Sequence, residues 1–412
     1  GFGGPQGMFC IENIIENIAH HLDIDSYLIR KHNFYQVNKN NITPYDMKVE
    51  DNIIHDLFSD LIKSSNYIER RKSIDQYNKN NKIFKKGLSI TPVKFGISFT
   101  TTHLNQAGSL VHIYTDGSIH LNHGGIEMGQ GLMIKIAQLA AKEFGIDLNT
   151  IKITSTNTEK VPNTSASAAS ATTDLNGAAT IDAINKIKQN LNKFIKSFYN
   201  YRSNNIIYKN NYVIFGNSKK NFKDLINEAY MNRVSLSSTG YYKTPKINVN
   251  KKTLKGRPFL YFSYGASVSE VIVDTLTGEN KLTQVDILHD VGNSINPRID
   301  IGQIEGGFIQ GLGWLTTEEI SWDKKGLIKT HSPSTYKIPT SSDLPEIFNV
   351  KIYEKGINKE NVVNRSKAVG EPPLMLALST FMALKDAIKN EKKVSKNLKA
   401  PATAENILLN IN

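Results

Sequence analysis

The sequence predicts an α+β fold, with strands and helices mixed and no regular β-α-β alternation. Three observations carry that prediction. Apolar residues recur at helical spacing in some segments and alternate in others. Asp116-Gly117 and Thr277-Gly278 each separate two alternating segments, as hairpin turns do. Pro372-Pro373 opens a late apolar run, and proline suits the first turn of a helix.

In chain order, Ile11, Ile14, Ile15 and Ile18 predict a helix over residues 8–21. A polar, partly helical stretch follows to about residue 85. There Arg70-Arg71-Lys72 and the Asn/Lys run at 78–82 suggest a surface connection. A strand-rich region begins near Lys94. Leu110–Thr115 alternates, Asp116-Gly117 turns, and residues 118–122 return. Residues 131–144 predict an amphipathic helix with Ile134, Ile136, Leu139, Ala140 and Phe144 on its buried side. Ile151–Thr154 reads as a strand, and Ala178–Tyr199 as a long helix ending before an Asn-rich, basic loop. Strands follow at Tyr261–Asp274 and Leu282–Leu288, a helix at Ile304–Leu312, and a final long helix from Pro372. No internal repeat is present.

The 412 residues are 39% hydrophobic and 21% charged, enough for a large core and for more than one domain. The formal net charge of +12 raises the question of a nucleic-acid partner. Lysine is spread among asparagine and isoleucine, as in Asn38-Lys39-Asn40-Asn41, with no basic patch and no interleaved aromatics, so none is expected. Cys10 is the only cysteine. It excludes an internal disulfide and a cluster of iron and sulfur held by this chain, and fits a reducing, cytoplasmic setting. The longest apolar candidate, Leu374–Leu384, is too short for a membrane span and contains Ser379 and Thr380. Residue 1 is Gly rather than Met and opens inside a glycine-rich segment, which predicts a chain truncated at its N-terminus.

Three glycine-rich segments would let backbone N–H groups approach a ligand: Gly1–Gly7, His123–Gly131 and Gly302–Gly307. The second runs into a helix N-terminus, a natural anion site. A fourth, Asn163–Thr172, is small and rich in hydroxyls. Glycines in turns are more often structural, and neither the dinucleotide fingerprint nor a Walker sequence is matched. His112, His120 and His123 lack a further ligand at metal spacing, so no metal held by side chains is expected. One carboxylate stands out. Glu371, in Lys367-Ala368-Val369-Gly370-Glu371-Pro372-Pro373, has mostly apolar neighbours and precedes a proline-started helix. Burial there would suit a general base. The alternative is a carboxylate that caps the helix.

Taken together, these segments resemble the molybdenum subunit of the xanthine dehydrogenase and aldehyde oxidase family, in its bacterial xanthine dehydrogenase branch. The resemblance runs from Gly1 to Ala400-Pro401-Ala402-Thr403. It rests on Gly1–Gly7, Lys94–Thr100, Leu104–Gly108, the loop around Gln130, Val161–Ser165, Asp300–Gln303, Ser334–Pro339 and Lys367–Pro373. The implied fold is the second half of a molybdopterin-binding region. Residues 1–85 would end a first molybdopterin-binding domain and connect it to a second, residues 86–412, which holds the glutamate.

The resemblance implies hydroxylation of a purine, hypoxanthine or xanthine to urate, with oxygen from water. The molybdenum is held by the dithiolene of molybdopterin and by no side chain. By motif Glu371 is the catalytic base. Phe2 and Phe99 match aromatics that sandwich the ring, while Thr100 and Ala169 match residues beside the substrate. Gly3, Gln130, Ala168, Ser170, Thr172 and Gln303 match positions around the cofactor. Electrons would pass to 2Fe-2S clusters and FAD on a small partner subunit and then to NAD. An arginine expected before Gly1, a second arginine, a purine-binding glutamate and several cofactor contacts would lie in a missing N-terminal half. Alanine stands at 166, where some relatives carry proline. The alternatives are an aldehyde oxidase or other N-heterocycle hydroxylase, or a non-catalytic remnant that only binds its partner subunit.

Overall fold

The computed structural model describes residues 3–161, 163–389 and 398–411. The chain opens on helices α1 (Gly3–Leu22), α2 (Ser26–His32), α3 (Ile54–Ser64) and α4 (Tyr67–Asn80). Strands β1 (Phe84–Ile97), β2 (Gln106–Ile113) and β3 (Ile119–His123) lead to α5 (Leu132–Phe144), β4 (Ile151–Ile153) and α6 (Thr172–Phe198). Then come β5 (Ile206–Lys209), β6 (Tyr212–Phe215), β7 (Ser218–Asn221), α7 (Phe222–Met231) and β8 (Ser237–Lys243). After the short strands β9 (Asn248–Asn250) and β10 (Lys255–Arg257) follow β11 (Tyr261–Asp274), β12 (Asn280–His289) and α8 (Pro297–Thr316). Strand β13 (Ile347–Ile352), a 3-10 turn Pro372–Ala377, α9 (Leu378–Ala387) and α10 (Ala404–Ile411) complete the chain. The α+β class holds, with mixed helices and strands in open sheets.

Two four-stranded sheets organise the molecule. The first has the order β1-β11-β12-β13, antiparallel except for the parallel β12–β13 pair. Helices α8 and α9 cover it, and Val271, Val285, Phe308, Leu312 and Phe381 form its core. The second has the order β4-β3-β2-β8, with α5 and α6 against it around Val111, Leu121, Ile136 and Ile184. The predicted hairpin over Asp116-Gly117 is present, and Gly117 adopts φ +83, the left-handed region open to glycine. The Asn-rich stretch read as a loop contains the β5-β6-β7 meander, whose tight turn Asn210-Asn211 has φ +54 and +64. Asparagine tolerates that conformation, so a polar turn joins two short strands.

Several local expectations change. In α1 the recurring isoleucines mark the helix but not its buried face: Ile11, Ile14 and Ile18 are about half exposed, while Glu12 and Glu16 are buried. The cause is Arg30 of α2, itself buried, whose Nε and Nη2 meet Glu12 at 2.6 Å and Glu16 at 2.8 Å. Arg70 and Arg71 do not form a surface connection. They lie in α4 and reach into the fold, Arg70 to Glu270 and Asp286, Arg71 to Asp25 and Asp386. In α5 Ile134 is exposed, whereas Ile136, Leu139, Ala140 and Phe144 are buried as expected. The last predicted helix begins as the 3-10 turn, and α10 follows it.

Gly302–Gly307 is not a loop. It lies inside α8, where Asn296 caps the N-terminus by accepting from Ile299 N and Pro297 opens the first turn. A Cβ on Gly307 would meet Pro373 at 2.7 Å, and one on Gly311 would meet the Leu374 carbonyl at 2.2 Å. These glycines let α8 lie against the segment that carries Glu371. Residues 3–7 of the first glycine-rich segment are likewise helical.

Candidate active site

The helices α5, α6 and α8 and the Pro372–Ala377 turn all begin around one cavity of about 250 Å³. Its walls are Met128, Gln130 and Lys135 of α5 and its loop, Ser167–Asp174 without Ala171, Ile295, Asp300 and Gln303 of α8, and Ser366–Glu371. Of the residues expected in the site, Glu371, Ala169, Gln130, Ala168, Ser170, Thr172 and Gln303 meet here. Phe99 and Thr100 do not line it. Gly3 is exposed at the start of α1. Phe2 lies outside the described residues.

Glu371 is partly buried rather than fully buried, because its side chain faces the cavity. It does not cap the turn that follows, which removes the alternative reading of its position. It is held by Ser170 instead. Ser170 N donates to Glu371 Oε2 at 3.0 Å, Ser170 Oγ donates to the same oxygen at 2.9 Å, and Glu371 N donates to Ser170 Oγ at 2.7 Å. Oε1 has no hydrogen-bond partner among the described residues. A Cβ at Gly370 would stand 3.0 Å from Ser170 Oγ, so glycine there permits the close approach.

The base of this segment is fixed by buried groups. Lys367 is buried, with its Nζ 2.6 Å from Asp290 and 2.9 Å from Asp51. Its backbone N donates to Val291 O. On the opposite wall Lys135 Nζ meets Asp300 at 2.5 Å, and Asp300 also accepts from Ser294. That buried pair ties α5 to α8. Asp174 accepts from Tyr261 Oη at 2.6 Å, and burial pushes its carboxyl up to about 7 against the pull of Tyr261 and Lys135. Lys135, Asp174, Tyr261 and Asp290 were not singled out from sequence. A lysine on the apolar side of α5 was the visible signal for the first of them.

The loop before α5 does not present an open anion site at that helix. Glu127 fills it, accepting from Gly129 N at 2.9 Å, Gly131 N at 3.0 Å and Met133 N at 3.0 Å. Gln130 folds back on the same loop, donating to Ile126 O and accepting from Met128 N. The N-terminus of α6 differs, since Ala171 offers no side-chain cap. Its first residues, Thr172, Thr173 and Asp174, line the cavity beside Ala168 and Ala169, whose side chains are short. Among the described residues no group of three or more His, Cys, Asp or Glu could hold a metal ion. His123 is buried away from His112 and His120, its Nδ1 accepting from Gly125 N.

A family model described as a molybdopterin cofactor-binding domain matches residues 60–345, and a second of the same description matches residues 1–34. The chain belongs to the molybdopterin cofactor-binding family. It is 43% identical over 415 residues to the xanthine dehydrogenase/oxidase of Felis catus, covering 99% of this chain and 30% of that protein. The match to the xanthine dehydrogenase of Dictyostelium discoideum is also 43%, over 99% of this chain and 29% of the relative. The chain thus spans about three tenths of these curated relatives. Quinoline 2-oxidoreductase from Pseudomonas putida superposes with a TM-score of 0.86 at 20% identity, over 98% of this chain and 52% of that one. A Cu,Mo-CO dehydrogenase superposes with 0.84 at 20% identity, over 98% and 51%. These two show the shared fold.

The cavity suits the molybdopterin that the family binds. Uncapped N–H groups at α6 suit an anionic group, and the Gln303 side chain has no hydrogen-bond partner among the described residues. Gln130, Gln303 and the Ala168–Thr172 backbone offer the mixed donors and acceptors that a pterin needs.

Proposed function

We propose that this chain forms the catalytic-base half of a molybdopterin site in a xanthine dehydrogenase. The complete enzyme would convert hypoxanthine and xanthine to urate. The observation that carries this reading is Glu371. Its Oε2 accepts twice from Ser170, its Oε1 has no hydrogen-bond partner among the described residues, and the residue lines the cavity. The 43% identity to xanthine dehydrogenases supports the substrate class.

Each hydroxylation takes a ring C–H and one water to a ring C–OH, two electrons and two protons. Bound molybdenum–molybdopterin supplies the two-electron oxidation and the activation of water-derived oxygen. Glu371 takes one proton at Oε1. Ser170 holds the carboxylate so that this oxygen points to the reacting atom, which saves the cost of orienting it in each turnover. Gln130, Gln303 and the start of α6 hold the cofactor, and Ala169 leaves room for a flat ring beside it. By the resemblance Phe2, Phe99 and Thr100 would contact the substrate, although Phe99 and Thr100 do not line the cavity formed by this chain. Electrons leave through 2Fe-2S clusters and FAD on a partner to NAD, since a chain with one cysteine holds no such cluster. The upstream half of the cofactor cradle comes from a further segment, and the assembly works in the cytoplasm.

The test is Glu371→Gln in the complete enzyme. The expected result is a loss of roughly 100-fold to 10,000-fold in purine turnover with molybdenum content unchanged. Near-normal kcat would overturn the assignment. Turnover of quinoline or an aldehyde with none of xanthine would move the substrate class within the family.

A further inference from the structure

The start of α6, with the two residues before it, meets the segment Ala368–Glu371 at two places. The first is Ser170 on Glu371. The second is indirect and lies one helical turn along α6. Asp174 accepts from Tyr261 Oη at 2.6 Å, and Tyr261 Oη accepts in turn from Ala368 N at 3.1 Å. On the same face of β11, two residues on, Ser263 Oγ donates to Ala368 O at 3.2 Å. The peptide groups around Ala368 are therefore held on both sides. Asp174 and Tyr261 are buried, so this chain of bonds lies largely within the protein at the cavity's edge.

We propose that Asp174 is a positioning residue for Glu371, acting through Tyr261 on the Ala368 amide. Anchors at Lys367 and at Ser170 leave the peptide between them, around Ala368, without a fixed amide. The bond to Tyr261, three residues before Glu371, holds that amide. Asp174 is the outer end of that attachment. The two contacts thus refer Glu371 to α6, through Asp174, and to the residue just before its N-cap, Ser170; the first turn of α6 also lines the cavity. The charged and titratable groups facing Asp174 are Tyr261 of β11, Lys135 of α5 and Tyr242 of β8. None of them replaces it as acceptor for Tyr261. The inference rests on the reading of Glu371 as the base.

The test has two arms. In the 412-residue chain, hydrogen exchange is measured on the amide of Ala368. Exchange should rise by up to about tenfold in Y261F, which removes the acceptor, and rise in D174A, because a lost hydrogen bond is worth up to about that factor. D174N keeps an oxygen that accepts from Tyr261, and should exchange as the native chain does. In the complete enzyme, Y261F and D174A should lower kcat by roughly 10-fold to 100-fold with KM within about twofold, as expected for a misplaced base. D174N should restore most of kcat, and molybdenum content should stay constant throughout. Should D174A fail to fold, Y261F decides, since it keeps the ring. Unchanged exchange in Y261F, or unchanged kcat in both variants, overturns the proposal. So does a loss of rate that follows lost molybdenum. E371Q is run beside them. If it keeps its rate, the reading of Glu371 falls; if it loses rate while Y261F and D174A do not, only the positioning role falls.

Discussion

Ser170 and Glu371 are joined by three hydrogen bonds across 201 positions of sequence, two into one carboxylate oxygen and one from the glutamate's own backbone. The hydroxyl of Ser170 takes part in two of the three. Removing it leaves Ser170 N as the only donor from this residue. In the complete enzyme, Ser170→Ala should lower kcat by about tenfold to 100-fold, the range for a bond to a charged group, with molybdenum retained. Gly370→Ala should act the same way, because the new methyl would press on Ser170 Oγ. Steady-state kinetics with metal analysis checks both. A full rate in S170A would mean that the backbone N–H suffices.

Glu127 should matter for the loop that carries Met128 and Gln130. Its carboxylate stands where an external anion would otherwise sit, on Gly129, Gly131 and Met133 N–H. Glu127→Ala should cost about 1 kcal/mol, as for loss of a helix cap, seen in a denaturation midpoint. Burial alone would raise this carboxyl, but the backbone bonds outweigh it and hold it below the usual range. A depressed carboxyl contributes stability above its unfolded pKa and loses it as pH falls through the folded one. The difference between native and E127A should therefore be present at neutral pH and fade in acid, below the ordinary carboxylate range. A difference constant with pH would show that the loop gains nothing from the charge.

Much of this site was legible from its residue types, and its floor was not. Small residues at 168–170, two glutamines and a proline-flanked glutamate each have a local signature. Lys135 and Asp300 pair across 165 positions, and Asp174, Tyr261 and Ala368 come from three separate elements. No local pattern marks such partners, since each looks like an ordinary polar residue beside apolar ones. The fold divides similarly. Strand β11 begins and ends at its predicted bounds, Tyr261 and Asp274. Helix α8 begins seven residues before its predicted start, at Pro297 behind the Asn296 cap, and runs on although glycines at 302, 306, 307 and 311 lower helix propensity. Packing of Gly307 and Gly311 on the Glu371 segment outweighs that propensity.

Phe99 is half-buried, and its backbone is held by a buried side chain. Asn105 Oδ1 accepts from Phe99 N at 2.8 Å, and Asn105 Nδ2 donates to Phe99 O at 2.9 Å. The ring contributes little to the core, so Phe99→Ala should leave the melting temperature of this chain nearly unchanged. In the complete enzyme it should lower kcat/KM for xanthine well beyond the roughly 0.5–1.5 kcal/mol of an aromatic pair. A displacement of about 1 Å can cost about 100-fold, so lost orientation dominates. Asn105→Ala should reproduce the kinetic effect in part and also destabilise the chain, since it leaves buried backbone groups unpaired. A lowered melting temperature with normal kinetics in F99A would make the ring a packing residue.

Asp174 supplies a prediction about pH that needs no cofactor. Burial, the largest influence, raises its carboxyl from 3.8 to about 7, with Tyr261 and Lys135 pulling it down. The folded chain therefore keeps the proton over a range in which the unfolded chain has released it. The resulting stability is complete below about pH 4 and is lost as pH rises through 7, at up to about 1.4 kcal/mol per pH unit in that window. Asp174→Asn carries no such proton. Denaturant midpoints of native chain and D174N, measured from pH 4 to pH 8, should diverge in the variant's favour as pH rises, then run parallel above about 7. The slope should track Asp174 alone, because Asp290, the other buried carboxyl near Tyr261, is present in both chains. Curves parallel over the whole range would show that Asp174 is ionised in the folded chain well below neutrality, with Lys135 and Tyr261 compensating its burial in full.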